Sequence, residues 1–117
     1  MSIQRFEPLG QRLSHVSVYN GVVYLTGQVA SDCKQDIKGQ THQILTRIDE
    51  LLAKAGSDKS KILIAQIFLR DGARDFAGMN SVWEEWVSKD SLPSRATLEG
   101  RFTGDDILVE IIVQAAA

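Results

Sequence analysis

Apolar and polar positions in the first part of this chain follow the period of a β-strand, and two later segments follow the period of a helix. β-rich residues at positions 16–19 and 22–25 flank Asn20-Gly21. This dipeptide is favoured in type I′ turns, because both of its residues must adopt positive φ. The pattern therefore predicts a β-hairpin over residues 16–25.

Two later segments carry the spacing of one helical face. In the first, Gly56 predicts the helix end, and the face comprises Ile37, Thr41, Ile44, Leu45, Ile48, Leu51, Leu52 and Ala55. In the second, Asp75 is the expected N-cap, and the face comprises Phe76, Met79, Val82, Trp83 and Trp86. Tryptophans three residues apart share a helix face, so both are expected to pack in the core, with stacking on a ligand as the alternative.

Three further segments read as strands. Residues 62–69 are apolar on both faces, which is typical of a central strand. Residues 95–102 follow Pro93 and place Arg95, Thr97, Glu99 and Arg101 on one side. Residues 107–113 form the last predicted strand after a Gly104-Asp105-Asp106 turn. The expected order is ββαβαββ, an α+β fold in which residues 1–117 form a single domain with one mixed sheet.

This order leaves one face of the sheet without a helix. Two helices can cover only one face, yet the third and last predicted strands are apolar on both. Self-association would bury the uncovered face. The alternative is an open face that tolerates scattered apolar residues, as many protein surfaces do.

Composition narrows the possible partners. The chain is 44% hydrophobic and 24% charged, as expected for an ordinary globular domain. Its net charge of −2 and scattered Lys and Arg residues argue against nucleic acid. No apolar run reaches the roughly 18 residues that span a bilayer, and no signal-peptide core is visible, so we expect a cytoplasmic protein without a membrane partner. Cys33 is the only cysteine, which excludes an intrachain disulfide and argues against a thiolate metal site.

Three residues are candidates for chemistry. Glu110 shares its strand face with Leu108 and Ile112, and a carboxylate in such a setting needs a partner or a function. Desolvation would raise its pKa and a nearby cation would lower it, and the sequence leaves both open. Arg95 opens a strand, and its guanidinium can hold a carboxylate through two parallel hydrogen bonds. His15 precedes the first predicted strand, where it could approach a pocket.

Each candidate also has a structural alternative. Glu110 could be salt-bridged or edge-exposed, Arg95 could be an ordinary surface arginine, and His15 could be solvated. No metal-binding His-Glu-x-x-His pattern and no Gly-x-Ser-x-Gly elbow occurs in the chain, so no metal site is expected.

Several short motifs occur together in the order of one known family. They are Thr26-Gly27-Gln28, Asp75-Phe76 leading to Asn80 and Trp83, Pro93-Ser94-Arg95, and Glu110. Over residues 10–115 the chain resembles the reactive intermediate deaminase family, the RidA or YjgF-like proteins, and looks closest to the YoaB-like branch. The resemblance implies a chorismate-mutase-like fold with two helices on one face of the sheet. It also implies a homotrimer whose sheets form a central barrel, with sites between subunits.

The resemblance further implies a reaction and its residues. Family enzymes hydrolyse 2-enamine and 2-imine acids, such as 2-aminoacrylate, to 2-keto acids and ammonia without a cofactor. Arg95 would bind the carboxylate of the substrate or of the keto acid, and Glu110 would position or activate water. Thr26 and Gly27 would form the pocket wall, and Asn80 would shape the cleft.

Two positions depart from the best-studied branch. Thr97 stands in place of a cysteine, and Leu13 or its neighbours fall where that branch has a pocket tyrosine, so that Ser14, His15 or no residue could fill the polar role. An alternative function is therefore a non-catalytic trimer that binds small carboxylate metabolites. Ribonuclease activity, which the resemblance also raises, ranks last because the acidic balance offers little attraction for phosphate.

Overall fold

The structure is a computed structural model that describes residues 2–117. The chain order is β1 (Gln4–Leu9), β2 (Leu13–Tyr19), β3 (Val22–Leu25), α1 (Ile37–Lys54), β4 (Ile62–Leu69), α2 (Gly72–Trp86), β5 (Ser94–Glu99) and β6 (Val109–Ala116). The strands form one sheet in the order β1-β2-β3-β6-β4-β5. Only the β4–β5 pair is parallel, so the sheet is mixed, as predicted.

The predicted order ββαβαββ is confirmed from β2 onward, and one strand precedes it. β1 pairs antiparallel with β2 along one edge of the sheet. Its sequence lacks the alternation that marks a half-buried strand, and most of its residues are exposed. The Asn20-Gly21 hairpin forms as predicted, with φ of 52° and 79° at the two residues.

Helix α1 matches its prediction closely. The side chain of Asp36 caps its start by accepting a hydrogen bond from the backbone N–H of Gly39 at 2.8 Å. Gly56 follows its end with φ of 77°, a conformation that glycine adopts without strain. The face that includes Ile44, Ile48 and Leu52 is fully buried.

Helix α2 begins earlier than predicted. Its N-cap is Asp71, whose carboxylate accepts from the N–H of Arg74 at 3.0 Å. The prediction of Asp75 as N-cap was wrong, because Asp75 lies inside the first turn, where it is buried and pairs with Arg74 at 2.9 Å. Trp83 is buried as expected, whereas Phe76 is exposed.

β5 ends three residues earlier and β6 begins two residues later than predicted, because side chains hold the loop between them. Arg70 donates through Nε to the carbonyl of Ile107 at 2.8 Å. The buried amide of Gln40 accepts from the N–H of Leu108 at 3.0 Å and donates to the carbonyl of Asp106 at 3.0 Å. The backbone groups with which longer strands would form ladder hydrogen bonds are therefore already bonded to these side chains.

The core lies between the two helices and one face of the sheet. The buried strand residues on this face are each at most 5% exposed and include Val16, Leu25, Ala65, Ile67, Val109, Ile111 and Val113. The opposite face has no helix against it and exposes large apolar side chains, among them Tyr19, Tyr24 and Leu98. We call this second surface the open face. No helix within residues 2–117 has the length and apolar character needed to cross a membrane.

Candidate functional site

Arg95 is held in place by helix α2. In the register of β5 it pairs with Ala65, which is fully buried, so its side chain points to the helix-covered face. Nη1 donates to Oδ1 of Asn80 at 2.7 Å. The guanidinium carbon lies 5.9 Å from the ring centre of Phe76 and 5.6 Å from that of Trp83. The hydrogen bond and the two aromatic rings together fix its orientation.

No carboxylate neutralises this guanidinium within residues 2–117. The ion pairs of that part of the chain involve Arg47, Lys54 and Arg74, and Arg95 is in none of them. An arginine that is oriented by neutral groups keeps its charge and several N–H donors available for an anionic ligand.

Thr97 lies two residues further along β5 on the same face, since it pairs with the buried Ile67. Its Oγ1 is buried and has no hydrogen-bond partner among the described residues. Buried hydroxyl groups nearly always have a partner. The Thr97 hydroxyl is therefore a buried polar group without a partner on the same strand face as Arg95.

Glu110 occupies the open face. It pairs with Phe68 in the ladder between β4 and β6. Its sequence neighbours Val109 and Ile111 point to the core, so its own side chain points the other way. Its carboxylate packs against Gly27, where a Cβ atom would lie 2.9 Å from Cδ of Glu110. Partial burial raises the pKa of the Glu110 carboxyl above its ordinary value. Only glycine at position 27 leaves room for this carboxylate.

Gln28 fixes the ring of His15 next to the same segment. The Nε2 atom of Gln28 lies 3.0 Å from the carbonyl oxygen of Thr26 and 3.0 Å from Nδ1 of His15. A carbonyl only accepts, so the amide of Gln28 is oriented with its NH2 group toward Thr26 and His15. The same NH2 group then donates to Nδ1 of His15, and the neutral ring carries its proton on its own Nε2. The N–H of Thr26 donates to the carbonyl of His15 at 2.9 Å.

The predicted site residues thus form two groups. The anchor cluster consists of the predicted residues Arg95, Asn80 and Thr97, together with Phe76, on the helix-covered side of β5. The carboxylate cluster consists of Glu110, Gly27, Thr26 and His15 at the open face. Strand β4 separates β5 from β6, and the two clusters face opposite ways. One chain therefore does not bring Arg95 and Glu110 together.

Sequence reasoning did not single out Gln28 or Phe76 as site residues. Gln28 was visible only as the third residue of Thr26-Gly27-Gln28. Phe76 was assigned to the core because its spacing on α2 matches that of Met79 and Trp83. The contact of Phe76 with Arg95 depends on the pairing of β5 with β4, which no periodicity reveals.

Neither Arg95 nor Glu110 lines the cavity between α1 and the segment after β3. It measures about 460 Å³ and is bounded by α1 and the segment after β3, including Gln28, Ser31, His42 and Arg47. Its size is not evidence for chemistry. We place the candidate site at the two clusters, because Arg95 and Glu110 have no partner of opposite charge among the described residues.

Cys33 and metal ligation offer no competing site. Burial and the nearby Asp106 and Asp32 raise the pKa of the Cys33 thiol, which disfavours the reactive thiolate. In the part of the chain that the structure describes, no three His, Cys, Asp or Glu side chains converge where they could hold a metal ion.

The six-stranded mixed sheet with two helices on one face defines a small α+β protein with a chorismate-mutase-like fold. Residues 3–117 match the family model described as Endoribonuclease L-PSP. The chain is 47% identical over 116 residues to a RutC family protein of Haemophilus influenzae, covering 98% of each chain. It is 41% identical over 105 residues to the RutC family protein YoaB of Escherichia coli, covering 90% of each.

Solved structures agree with this assignment. The crystal structure of a YjgF family member from Neisseria meningitidis superposes with a TM-score of 0.94 at 38% identity, covering 99% of this chain and 95% of that one. An uncharacterized protein from Pseudomonas aeruginosa gives a TM-score of 0.93 at 39% identity, covering 98% of each chain. The chain belongs to the RidA/YjgF-like family, whose model carries the L-PSP description, and it has a YoaB-like relative.

Proposed function

We propose that this protein hydrolyses reactive 2-enamine and 2-imine acids, such as 2-aminoacrylate, to 2-keto acids and ammonia. The observation that carries the proposal is the guanidinium of Arg95, which Asn80 and two aromatic rings orient without an ion pair. Such a group is suited to hold a planar carboxylate through two parallel hydrogen bonds. The buried hydroxyl of Thr97, two residues further along β5, has no hydrogen-bond partner among the described residues.

Glu110 supplies the proton transfers of the proposed reaction. Protonated Glu110 first donates its proton to the enamine carbon, which gives the protonated imine and leaves Glu110 as a carboxylate. Glu110 then accepts a proton from water as the water oxygen bonds to the imine carbon, which forms a carbinolamine. Glu110 passes this proton to the amino nitrogen and takes up the hydroxyl proton as the C–N bond breaks, so that ammonia leaves and the carbonyl forms. A carboxyl whose pKa is raised by burial is better matched to both directions of transfer near neutral pH.

The proposed site requires two chains. Because Arg95 and Glu110 face opposite sides of one sheet, the carboxylate cluster of one subunit must approach the anchor cluster of another. The open face exposes Tyr19, Tyr24 and Leu98, and association through it would bury apolar area. We propose a homotrimer whose sheets form a central barrel and whose sites lie between subunits.

The test is a coupled assay for keto-acid release. An amino-acid oxidase generates imine acids in the presence of the wild-type protein, of Arg95→Ala and of a control, Arg101→Ala. Arg101 is exposed beyond the end of β5. Its substitution removes the same charge as Arg95→Ala but outside the anchor cluster. Losing two charged hydrogen bonds should lower the acceleration roughly 100-fold in Arg95→Ala, with the control unchanged.

Two outcomes would contradict the proposal. The wild type could fail to accelerate the hydrolysis of any imine, or Arg95→Ala could accelerate it equally. Keto-acid binding that depends on Arg95 without any turnover would instead support the non-catalytic binder.

Ribonuclease activity, which the description of the family model names, has less support from the side chains of this chain. The net charge is −2, and phosphate backbones require clustered cations. His15 lies on β2 and His42 is exposed on α1, so the two histidines do not form a pair for RNA cleavage.

A further inference from the structure

Phe76 presents a half-exposed aromatic ring beside the anchor arginine. Its exposed fraction is 43%, whereas that of Trp83, the other ring against the guanidinium of Arg95, is 5%. A ligand bound to Arg95 can therefore find free aromatic surface only on Phe76. An exposed phenylalanine is unremarkable alone, but this one adjoins an unpaired cation.

The residues around Phe76 on α2 leave its ring uncovered. On a helix, the side chains three and four positions before a residue lie over the same face. For Phe76 these positions are Ala73 and Gly72, which are too small to cover a phenyl ring. Four residues after it, Asn80 is occupied with Arg95.

The bonding of Arg95 places a ligand next to this ring. One N–H of Nη1 already donates to Asn80 at 2.7 Å. A carboxylate must therefore bind to the remaining N–H groups of the guanidinium. The ring centre of Phe76 is 5.9 Å from the guanidinium carbon. This distance is within reach of a branched or aromatic side chain of a bound 2-imine acid, and the methyl-sized side chain of 2-aminoacrylate is too short to cover the ring.

We propose that Phe76 is a specificity-determining residue that selects imine acids with branched or aromatic side chains over 2-aminoacrylate. The proposal rests on the proposed function and names the substrate class of the same site. A branched aliphatic group gains by covering apolar ring surface, and an aromatic group can stack on it with an offset. Only one face of the Phe76 ring is offered to the ligand. We therefore expect kcat/KM for branched or aromatic imine acids to exceed that for 2-aminoacrylate by about tenfold, the low end of what apolar pockets achieve.

The experiment compares substrates that differ only in the side chain. Imines derived from alanine, leucine and phenylalanine are generated in the same oxidase assay, with wild type, Phe76→Ala and Phe76→Leu. The readout is the ratio of kcat/KM for the leucine-derived imine to that for the alanine-derived imine. This ratio cancels any loosening of Arg95 that affects all substrates equally.

We expect the wild-type ratio to be about ten, to fall close to one in Phe76→Ala and to be largely kept in Phe76→Leu. Leu9→Ala, which removes a similarly exposed apolar side chain at the opposite edge of the sheet, should keep the wild-type ratio. A wild-type ratio near one, or a ratio unchanged in Phe76→Ala, would overturn the proposal and leave the deaminase function standing. Dissociation of the assembly by Phe76→Ala alone would assign the ring to a subunit interface and also overturn it.

Failure of the proposed function gives a different result. If the wild type accelerates the hydrolysis of no imine, calorimetric binding of 4-methyl-2-oxopentanoate and pyruvate still measures the preference for side chains. Tighter binding of the branched keto acid, lost in Phe76→Ala, would support the role of Phe76 in a binding protein. Equal binding of the two keto acids would overturn it.

Discussion

Arg95 and Glu110 lie on opposite faces of one sheet, with β4 between the strands that carry them. Each side chain is placed by contacts within its own chain, Arg95 by Asn80 and Glu110 by the gap at Gly27. One chain therefore holds the two parts of the proposed site apart from each other.

Complementation between subunits tests the union of these two parts directly. Arg95→Ala and Glu110→Gln should each lose nearly all activity. When they are mixed and allowed to exchange subunits, sites that combine an intact Arg95 with an intact Glu110 should restore about one quarter of the wild-type activity, as random assembly predicts. Mixing Arg95→Ala with the double variant provides the inactive control. No recovery after exchange has been verified by mass spectrometry would argue against a shared site.

Asn80 should act through the orientation of Arg95. Removing the hydrogen-bond acceptor in Asn80→Ala should weaken keto-acid binding about tenfold, because a charged hydrogen bond contributes roughly 1.5–3 kcal/mol. Asn80→Asp should bind more weakly still, since its carboxylate would pair with Arg95 and compete with the ligand. Titration calorimetry with pyruvate measures both effects. Tighter binding in Asn80→Asp than in Asn80→Ala would contradict this role.

Glu110 should make stability depend on pH in a defined direction. Its pKa is raised above the ordinary 4.5 by burial, so the folded chain holds this proton more tightly than the unfolded chain. The stability contributed by the protonated form is complete below the ordinary pKa and is lost as the pH rises through the raised one.

Glu110→Gln removes this penalty for ionisation. The variant should have a higher Tm than wild type near pH 7.5 and a similar Tm near pH 4, where the wild-type carboxyl is largely protonated. Thermal unfolding at the two pH values measures the difference. Glu85→Gln, at an exposed position of α2, controls for the change in net charge. A Tm gain of equal size at both pH values would show that desolvation is not its cause.

Gly27 and Gly21 should respond differently to alanine. In Gly27→Ala the new Cβ would displace the Glu110 carboxylate, a flexible group that can move, so activity should fall at least tenfold with little loss of stability. In Gly21→Ala nothing obstructs the Cβ, but φ of 79° strains an alanine, so stability should fall by about 1 kcal/mol with activity kept. Urea unfolding and the keto-acid assay separate the two effects. Full activity in Gly27→Ala would contradict the role given to the gap.

Local patterns predicted most of the fold because several elements carry their own signals. The hairpin at Asn20-Gly21 and the helix that ends before Gly56 each follow from a turn or cap requirement that a few residues satisfy. β1 escaped prediction because an exposed edge strand needs no apolar alternation. The start of α2 was misplaced by one turn because Asp75 has a side chain suited to capping, whereas Asp71 caps the helix and Asp75 is buried within the first turn.

The candidate site was less predictable for a physical reason. Spacing alone left Arg95 an ordinary strand arginine, and the resemblance to the family supplied its expected partners. Its contacts with Asn80 and Phe76 arise from packing of α2 against the β4–β5 pair. Which face of a strand a helix covers depends on contacts distant in sequence, and no local period encodes them.

Strand β6 joins the two halves of the sheet, with β3 on one side and β4 on the other. Both of its edges are hydrogen-bonded, and Val109, Ile111, Val113 and Ala115 have no exposed surface. Its amide protons can therefore exchange with solvent only when the whole chain opens. Deuterium uptake should be slowest in β6 and fast in β1, so that the strand carrying Glu110 reports global unfolding while the outer hairpin reports local opening.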